Sequence, residues 1–221
     1  ISQSSGTLTL AANDRMVTTG TLTLFNGAVV AGASGGFQAE GNVVVDGNWD
    51  TGTAQLIFEG GGDQNITAVN GGAGKFDADV TFNKSGGTVT LQTAWTLDQG
   101  SQDVVLSGGE LILNGNQLTI SGSGTTTING GTLTFGGGTY LQSNSLTMSS
   151  GTINGQTGAL ISSQTLEVAG GTFNGDSAAR DVNSNFIISG GTFNAPGAGG
   201  SFNAAGDWTH TGGGWNSVEV C

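Results

Sequence analysis

The sequence predicts an all-β fold, a single-stranded parallel β-helix (β-solenoid) with about 20–22 residues per coil over positions 87–216. Three observations carry that prediction. A short phrase recurs at a nearly fixed step, apolar residues keep no helical spacing, and short alternating runs bounded by turn residues fill the chain. The phrase is a small or polar residue, Gly-Gly, Thr or a near equivalent, an apolar residue and usually Asn. It reads Ser-Gly-Gly-Thr-Val at 85–89, Ser-Gly-Gly-Glu-Leu at 107–111 and Asn-Gly-Gly-Thr-Leu at 129–133. It returns as Ser-Ser-Gly-Thr-Ile-Asn at 149–154, Ala-Gly-Gly-Thr-Phe-Asn at 169–174 and Ser-Gly-Gly-Thr-Phe-Asn at 189–194. The second glycine falls at 87, 109, 131, 151, 171 and 191, and Gly213 lies one further step along. A period of this size marks stacked supersecondary units that bury their apolar faces only against their neighbours.

The part before position 87 is less regular. Alternating runs at 7–10, 21–24, 42–45, 55–58 and 80–82 are each bounded by Gly, Asn, Asp or Ser, a strand-and-turn pattern. Gly-Thr-Leu-Thr-Leu at 6–10 recurs at 20–24, a step too short for the period seen later. Gly-rich loops follow at 32–36, 60–62 and 70–74. Uneven coils with loop insertions are expected over residues 1–86.

In the regular part, each period holds three strands. One precedes the Gly-Gly, at 126–128, 146–148, 166–168, 186–188 and 208–210. A second follows it, at 132–135, 152–154, 172–174 and 192–194. A third comes about halfway round, at 140–142, 160–162, 180–182 and 202–204. The glycines then sit at a corner where φ is positive or backbones come close. Stacking would bring Leu146, Leu166, Phe186 and Trp208 into one inward ladder and Ile153, Phe173, Phe193 and Trp215 into another. Asn154, Asn174, Asn194 and Asn216 would form a third column, in which stacked amides hydrogen-bond along the axis. The alternative is that these asparagines only hold turns. Residues 217–221 are expected to be a terminal strand and a candidate assembly end, so the whole chain 1–221 forms one elongated solenoid. The end of the chain also echoes its early part: Gly35 to Gly52, centred on Trp49, resembles Gly199 to Gly212, centred on Trp208.

Composition narrows the function. The chain has 221 residues with 43 Gly and one Pro, but no Gly-X-Y period, which excludes collagen. Val, Ile, Leu, Phe and Thr in alternation argue against disorder. Only 9% of residues are charged, the net charge is -12, and the basic residues are Arg15, Lys75, Lys84 and Arg180. Nucleic acid and anionic lipid need clustered Lys or Arg, so neither is an expected partner. No apolar stretch of about 18 residues encodes a membrane span. No signal peptide is present and the chain opens at Ile1, which suggests a processed form or an excised piece. A weakly charged surface rich in Asn, Thr, Ser and Gly suits a secreted or cell-surface protein.

The run from 47 to 120 resembles the Gly/Asn/Thr-rich β-helix repeats of large secreted bacterial and archaeal surface proteins, adhesins and autotransporter passengers among them. Gly-Asn-Trp-Asp-Thr-Gly-Thr at 47–53, Leu-Ile-Phe-Glu-Gly at 56–60 and Asp-Gln-Asn-Ile-Thr at 63–67 carry the resemblance. So do Val-Thr-Phe-Asn-Lys-Ser-Gly-Gly-Thr-Val-Thr-Leu at 80–91 and Leu-Ile-Leu-Asn-Gly-Asn-Gln-Leu-Thr-Ile at 111–120. The resemblance implies extracellular structural or adhesive work and no particular ligand.

Several residues have chemical potential, and each also has a plainer role. Glycoside hydrolysis needs two carboxylates about 5–9.5 Å apart. Asp46 with Asp50, Asp77 with Asp79, Asp98 with Asp103 and Asp176 with Asp181 are the pairs on paper, yet none keeps the coil spacing that would align it on adjacent coils. His210, the only His, lacks a nearby nucleophile motif. Gly-Gly-Ala-Gly-Lys-Phe-Asp at 71–77 resembles a calcium-binding nonapeptide, but Asp77 is out of register and the motif does not repeat, so Ca2+ is a weak signal and no cofactor is expected. Asn65 and Asn83 open formal glycosylation triplets. Trp49, Trp95, Trp208 and Trp215 suit core or end packing, or sugar stacking if exposed. Cys221, the single cysteine, either marks the end of the chain or forms an intermolecular disulfide.

The expected protein is a non-catalytic, extracellular or cell-surface β-solenoid whose partners are copies of itself. Its ends carry no charged or Pro-rich cap, and uncapped solenoids favour head-to-tail assembly into a filament, sheath or surface layer. The alternatives are an adhesin or carbohydrate-binding passenger segment with glycan or surface-protein partners, and a polysaccharide-degrading enzyme with clustered acids. An ice-binding face would demand a flat, unbroken Thr-x-Thr array, and the threonines read as scattered.

Overall fold

The computed structural model describes residues 2–3, 5–25, 27–46, 49–50, 54–69, 73–74, 79–97, 100–162 and 164–217. The described residues form strands and no helix, and every strand pairing is parallel. The chain winds as a β-solenoid whose coils each contribute to three strand columns.

The first column runs through Arg15–Thr18, Gly36–Ala39 and Gln55–Phe58, continues into the long strands, and ends at Leu166–Val168, Phe186–Ile188 and Trp208–His210. The second begins at Ser2–Gln3 and ends at Gly214–Asn216. The third comprises Thr7–Leu10, Gly27–Ala31 and Trp49–Asp50, then Ala73–Gly74 through Ser201–Ala204.

Register gives the coil lengths. Inward positions step from Met16 to Phe37, Leu56, Val80, Val104, Thr126, Leu146, Leu166, Phe186 and Trp208. The expected coil length therefore holds from Val104 onward. The coils on either side of Val80 are longer, and the one from Phe37 to Leu56 is shorter. The early echo of Gly-Thr-Leu-Thr-Leu has a simple origin. Thr7–Leu10 stands in the third column and Leu22–Leu24 in the second, so the two copies are different sides of neighbouring coils.

The two strands expected on either side of the Gly-Gly are continuous in four coils, as Val80–Leu91, Val104–Ile112, Thr126–Thr134 and Leu146–Asn154. They separate only in later coils, as Leu166–Val168 and Thr172–Asn174. The chain bends at the glycines. The second glycine of the phrase has positive φ at 87, 109, 131, 151, 171 and 213. Space is as restrictive as conformation: a Cβ on Gly131 would stand 2.8 Å from the Gly109 carbonyl oxygen of the coil before. Gly191 lacks the positive φ, yet a Cβ there would meet Val168 at 2.7 Å.

Alternation along each strand sends one set of side chains into the interior. Leu56, Phe58, Val80, Val89, Leu111, Leu133, Leu160 and Phe173 are fully or almost fully buried there. Like residues stack on like. The rings of Phe58 and Phe82 lie 4.9 Å apart and nearly parallel, and those of Phe173 and Phe193 lie 4.9 Å apart at a 30° tilt. Such offset pairs contribute about 0.5–1.5 kcal/mol each beyond area burial.

Candidate functional site

The amide column is a continuous hydrogen-bonded ladder. Register aligns Asn154, Asn174, Asn194 and Asn216. Asn174 donates Nδ2–H to Asn154 Oδ1 at 2.9 Å, Asn194 to Asn174 Oδ1 at 2.6 Å, and Asn216 to Asn194 Oδ1 at 2.7 Å. All donors point the same way, and the Asn216 Oδ1 is the acceptor that a further rung would use. Each such bond contributes about 1 kcal/mol.

The two apolar ladders are also in register. Leu146, Leu166 and Phe186 are fully buried, as are Ile153, Phe173 and Phe193. Trp208 continues the first ladder but is 52% exposed, because no described strand covers it. Trp215 continues the second and is half-buried. Together with Phe202 they form an aromatic end face. Trp208 and Trp215 lie 4.5 Å apart, Trp215 stacks on Phe193 at 4.9 Å, and Phe202 meets Phe186 at 4.5 Å. At the other end of the stack, Leu8 and Met16 pack against the core and are only partly buried.

The acids work as cross-coil acceptors. Asp79 stands opposite Asp103 one coil on, so one pair of acids does align on adjacent coils, contrary to the sequence reading. The sequence hid the pair because that coil is longer than those of the regular part. Asp79 Oδ1 accepts from the Asp103 N–H at 3.1 Å, and Asp103 Oδ1 accepts from the Thr125 N–H and hydroxyl at 2.8 and 2.7 Å. Asp63 bonds Thr88 in the same manner, and Asp176 accepts from Gln156 N–H. Asp181 accepts from Asn203 at 2.7 Å and is not joined to Asp176. Asp46 is buried. The Asp50 side chain, Asp77, Asp98, most of 71–77, the Trp49 side chain and Cys221 lie outside the described residues. Among those described, no three His, Cys, Asp or Glu side chains gather as a metal site.

The threonines are not scattered, as the sequence suggested. Thr132, Thr152, Thr172 and Thr192 form one outward file beside the asparagines, and Thr88 belongs to it, with Glu110 interrupting. Along this file Thr-x-Thr occurs only at Thr88/Thr90 and Thr132/Thr134, since Asn replaces the second Thr in later coils. Asn65 and Asn83 are exposed and engage Gln92 and Glu59 in neighbouring coils. His210 is exposed, 3.4 Å from the Gly213 carbonyl. Trp95 is buried.

Two basic residues sit inside the solenoid. Arg180 occupies the inward position between Leu160 and Phe202. Its guanidinium lies over the Phe135 ring at 5.4 Å and donates to the Gly158, Gly175 and Ala179 carbonyls. Burial lowers its pKa to about 10, with Asp176 opposing the shift. Lys84 donates to Gln64 Oε1 at 2.5 Å and to the Glu59 carbonyl at 3.2 Å, and burial lowers its pKa against the pull of Asp63. Charged residues are rarely buried, so composition gives no hint of this placement. Strand alternation was the available signal: Arg180 shares its file with Tyr140 and Leu160, and Lys84 follows Val80 and Phe82 at steps of two.

No protein-family model, curated protein or solved structure matches the chain.

Proposed function

We propose that this chain is a non-catalytic, extracellular structural protein, a solenoid subunit that joins copies of itself head-to-tail into a filament, sheath or surface layer. The observation that supports this most is the aromatic end face. Phe202, Trp208 and Trp215 hold inward ladder positions, and Trp208 remains 52% exposed at the last described coil. Leu8 and Met16 offer a complementary apolar face at the first coils. Open strand edges and the Asn216 acceptor would give the incoming copy its register. Two different ends meeting make a heterologous contact, which propagates rather than closes. The acids support the absence of catalysis, because Asp63, Asp79, Asp103 and Asp176 are each engaged by backbone N–H groups of adjacent coils. The weakly charged surface supports the extracellular location.

A second reading, a cell-surface adhesin or carbohydrate-binding passenger segment, has one observation in its favour: the same exposed tryptophans offer a face for sugar stacking. Sedimentation and electron microscopy separate the two. Assembly predicts rods that lengthen with concentration and shorten to single subunits in Trp208→Asp/Trp215→Asp with unchanged circular dichroism. Single rods at every concentration that retain a polysaccharide through these tryptophans would support the adhesin and overturn assembly.

A further inference from the structure

Four Asn-Gly dipeptides lie wholly within the described residues: 114–115, 129–130, 154–155 and 174–175. Asn is chemically labile, and Asn before Gly most of all, because no Cβ shields the following backbone nitrogen. In this reaction the deprotonated Gly nitrogen attacks the Asn Cγ. The tetrahedral adduct expels ammonia and leaves a five-membered succinimide. Water then opens the ring at either carbonyl, giving Asp or isoaspartate, so amide plus water becomes acid plus ammonia.

The solenoid places these dipeptides in opposite settings. Gly155 N–H donates to the Asn174 carbonyl at 2.9 Å, and Gly175 N–H to the Asn194 carbonyl at 2.8 Å. Both nucleophiles are buried and held. The matching electrophiles are held too, since Asn154 Oδ1 and Asn174 Oδ1 each accept from the next amide of the ladder. Ring closure would require breaking both bonds and parting two coils. Asn129-Gly130 lies within the paired strand Thr126–Thr134.

Asn114-Gly115 is different. Both residues are exposed at a turn closed by Asn116 N–H to the Leu113 carbonyl at 2.9 Å. Asn114 and Gly115 both have positive φ, 53° and 77°, and nothing lies within 4 Å of where a Gly115 Cβ would be. The one side-chain bond of Asn114, Nδ2–H to the Leu91 carbonyl, is long at 3.4 Å. The turn must rearrange for the ring to close, and an exposed tip opens locally at little cost.

We propose that Asn114 is a site of spontaneous deamidation, and that coil stacking locks Asn154 and Asn174 against the same reaction. Holding two hydrogen bonds of about 1 kcal/mol each slows the ladder positions roughly 30-fold relative to Asn114.

The test is peptide mapping by mass spectrometry, with isoaspartate detection, after incubating the full chain at mildly alkaline pH. A parallel sample is kept unfolded in urea. The folded chain is expected to convert Asn114 first and to spare Asn154 and Asn174, while the unfolded chain converts all three at similar rates. Ladder asparagines that convert as fast as Asn114 in the folded chain would overturn the locking. An Asn114 that stays intact when folded but converts when unfolded would overturn the site.

Discussion

Replacing Asn174 by Asp changes one group of the ladder, turning an N–H donor into a carboxylate oxygen. The acceptor side survives, because the new side chain still accepts from Asn194, at the 2.6 Å contact. The donor side fails: an anionic oxygen would face Asn154 Oδ1 where a 2.9 Å hydrogen bond stood. The lost bond is worth about 1 kcal/mol. Repulsion adds about 1 kcal/mol at this half-buried position, where solvent screens part of it. That repulsion acts on the charged form alone, so it raises the folded-state pKa of the new carboxyl above the ordinary Asp value. A raised folded pKa means stability is fully present below the unfolded value and lost as pH climbs through the folded one. Asn174→Asp is therefore expected to cost about 2 kcal/mol at pH 7. At pH 3 the protonated acid can donate to Asn154, and the cost falls below about 1 kcal/mol. Equilibrium urea unfolding, followed by the fluorescence of Trp208 and Trp215 near the ladder's end, reads both values. A variant as stable as the parent at pH 7, or equally destabilised at both pH values, would refute the ladder reasoning.

Other substitutions probe the coil corners and the interior. Gly115→Ala and Gly151→Ala both place a side chain at positive φ, 77° and 82°, but only at Gly151 would the Cβ approach a neighbouring coil, 2.5 Å from the Gly131 carbonyl oxygen. The first is expected to cost about 1 kcal/mol and the second at least about 2–3 kcal/mol in urea unfolding. Tyr140, buried with its hydroxyl 2.7 Å from Thr126 Oγ1, has its pKa pushed by burial above the ordinary 10. Unfolded chains release this proton near pH 10, so its contribution falls as pH rises further, by about 1.4 kcal/mol per unit. Tyr140→Phe is expected to be about 1 kcal/mol less stable than the parent at pH 8 and to overtake it above about pH 11, a crossing seen by urea titration across pH.

Much of the fold was legible because a solenoid writes its geometry into its period. The glycines at 109, 131, 151 and 171 had to recur where the chain bends. Asn154, Asn174 and Asn194 had to share a column because the coils between them are equal in length. Legibility fell where coil length drifted. The longer coils around Val80 concealed the alignment of Asp79 with Asp103, and two sides of neighbouring coils imitated a shorter repeat. The continuous strands through Gly-Gly were unreadable from glycine alone, since the same residues mark either a break or a bend. The burial of Arg180 and Lys84 runs against composition, since charged residues are rarely buried. The backbone carbonyls and Gln64 that accept from them inside become visible only once the coils are stacked. The aromatic end face was half legible: the ladder that ends in Trp208 was in the pattern, and its exposure was not.

Fibre diffraction combined with electron microscopy of the concentrated protein tests self-assembly most directly. The eleven described rungs of the second column, at about 4.8 Å each, span about 50 Å. Self-assembly predicts filaments one solenoid wide, with a meridional reflection at about 4.8 Å and an axial repeat of about 50 Å for this chain. Rods that never exceed one subunit, or that associate only side by side, would contradict it.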